Sequence, residues 1–161
     1  MNDFIKKAQN LGKVKNLDEA FEKYPSEPEN IEYYIDFLME KNEKYKYEQQ
    51  YQIGDIVYVT QYLYATGKPG YDHLFVIIDK EEEAVPIEHF GMLISSQIQK
   101  IKYNQNILLQ KDNQNNLKKD SIVKTDQIYQ LNKQNILFKI GNIDQRLVNE
   151  YKVRCLKSRR D

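Results

Sequence analysis

Residues 54–59 read GDIVYV. Glycine and aspartate suit a tight turn, and the four residues after them are apolar and β-branched or aromatic, as a buried strand requires. Runs of the same type return downstream at short intervals. QYLYATGKPGYD (61–72) has the Gly and Pro content of a long hairpin loop. HLFVIID (73–79) predicts a second strand, EEEAVP (81–86) a loop, and HFGMLI (89–94) a third strand. NILLQK (106–111) predicts a short fourth strand with KDNQNN as its turn, and SIVKTDQIYQL (121–131) carries a fifth. ILFKIGNID (136–144) passes into a final helix, DQRLVNEYKVRCLK, which sets Leu147, Val148, Tyr151 and Cys155 on one face. Short strands at even spacing that close on a helix predict a small twisted β-barrel in an α+β setting.

Upstream of Gly54 the pattern is helical. Asn16 is placed to cap LDEAFEKY, which Pro25 ends. SEPE (26–29) reads as a capping box for IEYYIDFLMEKNEKYKYEQQ (31–50). That helix has Ile31, Tyr34, Ile35, Leu38 and Met39 on one stripe, so it must pack against something. Residues 1–161 thus read as a single domain: a helical N-terminal extension over 1–50, and a barrel with its C-terminal helix over 51–161.

Composition narrows the class. The 161 residues hold one cysteine, Cys155, so neither an intramolecular disulfide nor a cysteine-based zinc site is expected. The opening MNDFIKKAQNLGKVK lacks a secretory apolar core, and no apolar run approaches the ~20 residues that cross a bilayer. A cytoplasmic protein without membrane contact is therefore expected. Net charge is zero but unevenly spread. Residues 1–50 carry 8 Lys+Arg against 11 Asp+Glu, residues 51–99 carry 2 against 7, and residues 100–161 carry 14 against 6. A basic C-terminal part fits either a polyanion-facing surface or an internal match to the acidic part. His73 and His89 have no partners at zinc spacing, and no glycine-rich phosphate loop is present, so neither metal nor cofactor is expected.

In order, GDIVYV, a glycine-containing loop, HLFVII, ISSQIQK (94–100), DSIVKTDQI (120–128) and FKIGNID (138–144) resemble the MazF/PemK family of toxin endoribonucleases. The resemblance runs from Gly54 to the C-terminus. It implies an SH3-like bent barrel of the MazF/Kid/CcdB kind and metal-free cleavage of single-stranded RNA. Two features depart from compact members. GYDHLFV lacks the arginine usual before the second strand, and the helical extension is additional. Both resemble the RNA-antitoxin (type III) branch, such as CptN, ToxN and AbiQ, associated with phage defence. That branch implies a small repeat RNA as antitoxin and an oligomer formed with it.

Metal-free RNA cleavage uses the ribose 2′-hydroxyl as nucleophile and leaves a 2′,3′-cyclic phosphate and a 5′-hydroxyl. The protein must move two protons and stabilise charge on phosphoryl oxygens. With only two histidines available, the resemblance implies His73, at the start of the second strand, as the acid or base; His89 reads as structural. Ser95 and Ser96 end the apolar run Met92-Leu93-Ile94, where a hydroxyl can donate to a phosphate oxygen. Alternation along a strand prevents both from facing one way, and Ser96 is preferred, with Ser95 second. Lys68, Lys100 and Lys102 are placed to meet phosphates, and Tyr64 and Tyr71 to stack on bases. Three alternatives stay open: a CcdB-like gyrase inhibitor without chemistry, a MazF/PemK toxin with a protein antitoxin (type II), and an inactive RNA-binding module.

Overall fold

The computed structural model describes residues 33–36, 50–63, 67–84 and 86–158. The predicted N-terminal helices lie outside the described residues, except for a helical turn at 33–36. Seven strands follow: β1 (Asp55–Leu63), β2 (Pro69–Lys80), β3 (Glu88–Ser95), β4 (Asn106–Leu109), β5 (Ser121–Lys124), β6 (Tyr129–Asn132) and β7 (Ile136–Asn142). The chain then forms helix α1 (Gln145–Lys157). The β1 entry is the anticipated tight turn. Gly54 takes φ +96° there, a left-handed value that favours glycine, and Asp55 Oδ2 accepts from the Gln52 N–H at 2.7 Å.

All pairings are antiparallel, in the order β4-β5-β3-β2-β1-β7, with β6 paired to β3 as well. β3 therefore serves two partners along one edge. Glu88–Gly91 pairs with β6, and Ile94–Ser95 pairs with β5. The run 121–131, expected as one strand, is two because Thr125 and Asp126 turn between them. The β1–β2 hairpin is also longer than its composition suggested. Tyr71, Gly70 and Pro69 continue the ladder opposite Gln61, Tyr62 and Leu63.

The expected closed barrel is corrected to an open α+β sheet. β4 and β7 do not pair; the loop after β4 lies against the outer edge of β7 instead. Asn142 N–H donates to Gln114 O at 3.1 Å, and Asn116 Nδ2 donates to Ile140 O at 2.8 Å. That loop is turned in on itself, with Asp112 Oδ1 accepting from the Gln114 and Asn115 N–H groups. Side-chain-capped turns of this kind cannot supply an extended ladder, so closure stops at isolated bonds.

Each sheet face carries a packed layer. Ile56, Tyr58, Val76, Met92, Ile94 and Phe138 face Tyr34 and the α1 residues Val148, Tyr151 and Cys155. Those α1 positions are three of the four on the anticipated stripe, and Leu147 packs partly buried against the same layer. The opposite face holds Val57, Val59, Tyr62, Phe75, Leu93 and Tyr129. Among the described residues no helix is long and apolar enough to cross a membrane.

Candidate active site

The alternation of β2 puts His73 on the face of Phe75 and Ile77, away from α1. His73 lies opposite Val59 of β1 and is 4% exposed. Its Nδ1 shares a hydrogen bond of 2.8 Å with the Tyr62 hydroxyl and lies 3.3 Å from Tyr71 O. The residue before it, Asp72, has φ +56°. This left-handed residue lies within β2 beside the histidine, and aspartate is one of the few side chains that tolerates it. Burial pushes His73 down to about 4, with the nearby Lys124 charge acting the same way and the Tyr71 carbonyl opposing both. The ring is therefore neutral at pH 7.

The two serines diverge. β2 and β3 pair Leu74 with Ile94, and one step further along that register sets His73 opposite Ser95. Cross-strand neighbours of this kind have Cβ atoms about 4.5–5.5 Å apart. Ser95 is 4% exposed, and its Oγ accepts from the Gln97 N–H at 3.2 Å, so its own proton can still be donated. Ser96 follows Ile94 onto the other face. There it lines a cavity of about 10 Å³ with Tyr34, Leu74, Lys118, Lys119 and Ser121, room for about one water molecule.

The other candidates are spread over several elements. Lys68 is exposed in the β1–β2 loop, and Tyr71 is 41% exposed on β2. Tyr64 lies outside the described residues. Lys100 and Lys102 stand on a 3-10 turn (Ile98–Lys102) after the serines, with Lys102 Nζ 5.5 Å from the Tyr103 ring centroid. His89 is buried at the far end of β3, edge-on to Tyr51, and its Nδ1 finds no hydrogen-bond partner. Burial lowers its pKa.

Sequence reasoning missed the pocket beside His73. A hollow of about 290 Å³ is lined by Lys100, Tyr103, Asn106, Lys124, Gln127 and Tyr129 among others. Its buried lining residue Tyr129 connects it to the layer that holds His73, the ring lying edge-on to both Tyr62 and Phe75. Lys124, Asp126 and Gln127 all belong to DSIVKTDQI, so the signal was present as a motif without assigned roles. Among the described residues no group of three or more His, Cys, Asp or Glu is arranged to hold a metal ion. Residues 52–156 match one protein-family model, described as PemK-like, MazF-like toxin of type II toxin-antitoxin system. No curated protein matches the chain.

Proposed function

The chain belongs to the PemK-like, MazF-like toxins of toxin–antitoxin systems, and from that premise we propose that it is a metal-independent endoribonuclease acting on single-stranded RNA. Toxins of this family are generally endoribonucleases that bind RNA and an antitoxin. The observation that carries the reading is the neighbourhood of His73, Ser95 and Lys124 beside an open polar pocket.

In this reading neutral His73 takes the 2′ proton through Nε2 as O2′ attacks phosphorus and the P–O5′ bond breaks. Ser95 Oγ–H donates to a non-bridging oxygen, and the Lys124 ammonium stabilises the developing charge. Lys100 and Lys124 are the charged donors of the adjoining pocket, and one of them protonates O5′ directly or through water. A phosphodiester anion against the ring favours the imidazolium and offsets the Lys124 charge, which brings His73 closer to the working pH. Ser96 faces the other layer and is left out of this arrangement. Lys68, Tyr71, Lys102 and Tyr64 are assigned to the RNA approach path.

The test is expression of the toxin followed by sequencing of RNA 5′ ends. Reproducible 5′-hydroxyl ends that vanish in His73→Ala and Ser95→Ala support the proposal. Growth arrest with intact RNA and broken DNA overturns it in favour of gyrase poisoning. On the antitoxin two observations part. The long N-terminal extension and the missing arginine before β2 support an RNA partner, whereas the description of the matched family supports a protein one. Treating the inhibited complex with an unrelated ribonuclease and, separately, with a protease decides between them by which treatment releases the activity.

A further inference from the structure

The pocket beside His73 has chemistry beyond phosphate binding. Its volume of about 290 Å³ is near the lower end of small-molecule sites, a fit for one flat ring system. At its rim Tyr103 is 49% exposed and offers a ring face. Its lining includes Tyr129, 4% exposed. Along its wall the turn between β5 and β6 brings Asp126 next to Gln127. The Gln127 Nε2 is shielded from solvent and has no hydrogen-bond partner in the protein. A buried amide donor left in this way is costly, and a ligand acceptor removes the cost.

Building on the ribonuclease reading, we propose that this pocket is a guanine subsite holding a base adjacent to the cleaved linkage. The Asp126 carboxylate accepts from N1–H and N2–H of the base, and Gln127, by a side-chain rotation that turns Nε2 out of its buried position into the pocket, donates to O6. Guanine alone among the four bases presents two adjacent donors to a carboxylate with an acceptor beside them. Adenine offers the carboxylate one donor next to an acceptor; cytosine likewise; uracil offers a single N–H between two acceptors. Tyr103 stacks on the base, as single-strand binders use aromatic side chains. Tyr129 connects the subsite to the chemistry, because it packs on Tyr62 and Tyr62 bonds His73. Recognition of the base therefore bears on the residue proposed to move the proton.

The experiment separates recognition from cleavage. Short oligonucleotides with 2′-deoxyribose throughout, which cannot be cut, carry one guanine, hypoxanthine, adenine or cytosine in a thymine background. Fluorescence anisotropy reads their affinity. The wild type should bind the guanine oligonucleotide about tenfold or more tightly than the hypoxanthine one, which lacks only the N2 amine. In Asp126→Asn, checked for an unchanged melting temperature, that ratio should fall close to one. Equal affinity for guanine and hypoxanthine in the wild type overturns the subsite, and this comparison needs no variant to fold. Guanine preference without cleavage of any RNA leaves the subsite standing and removes the ribonuclease reading. Cleavage without guanine preference does the reverse.

Discussion

At His73 the decisive quantity is the cost of a charge inside the sheet. Burial and Lys124 hold its pKa near 4, so the protein without RNA keeps a neutral ring across the physiological range. The acid limb of kcat/KM is accordingly expected at about pH 4 and not near 6.5, with the limb absent in His73→Ala. The same variant should lose about 10²–10⁴-fold in cleavage, because a proton-transfer group acts mainly in the transition state. Its RNA affinity should change little, since a neutral ring contributes no phosphate charge pairing; filter binding beside single-turnover cleavage checks both. The serines test the register argument. Ser95→Ala should lower single-turnover cleavage by about tenfold or more, and Ser96→Ala by no more than about twofold, because a cavity of about 10 Å³ excludes a phosphate. A larger loss in Ser96→Ala would return the scissile group to the α1 side of the sheet. Lys100→Ala should reduce the salt dependence of binding to single-stranded RNA by about 0.7 in the log–log slope.

Elements decide what a reader of the sequence can reach. The apolar runs of β1, β2 and β3 and the α1 stripe were legible because one periodicity dominated each of them. Closure was not, since the missing β4–β7 pairing depends on Asp112 and Asn115 folding a loop onto itself, a tertiary competition that no local pattern records. The relation of the two serines to the histidine was out of reach for a similar reason: alternation says that they face opposite ways, but only the Leu74–Ile94 register relates either face to His73. Asp72 is the element-level feature most open to test. Its left-handed φ of +56° lies inside β2, where a β-branched side chain is a steric outlier. Asp72→Val should destabilise the fold by about 1–3 kcal/mol, whereas Asp72→Gly should leave stability close to the wild type. Urea unfolding of the two variants checks this, and equal stability of valine and glycine would show that the strand relaxes without cost.

For the whole molecule the buried titratable groups define a pH window. His73, held near 4 against 6.5 in an unfolded chain, binds its proton more readily once the protein opens. Its contribution to stability is therefore complete above about pH 6.5 and is lost progressively as pH falls toward and through 4. A difference of that size corresponds to about 3 kcal/mol. His89, also lowered by burial, acts in the same direction from the far end of β3. On the alkaline side Tyr151, pushed up to about 12 by its burial on the sheet-facing side of α1 with the Glu150 charge adding to it, keeps its proton longer than an unfolded tyrosine. Stability due to that group is intact below about pH 10 and declines as pH rises through 12. The fold should thus be most stable on a plateau between those limits, with the acid edge belonging chiefly to the candidate active site. Urea unfolding of wild type and His73→Gln at intervals from pH 4 to 8 isolates that share: the wild type should lose about 3 kcal/mol more than the variant between pH 6.5 and 4. Parallel curves would mean that His73 reaches its proton without opening the sheet, and with that the neutral-base step would lose its physical ground.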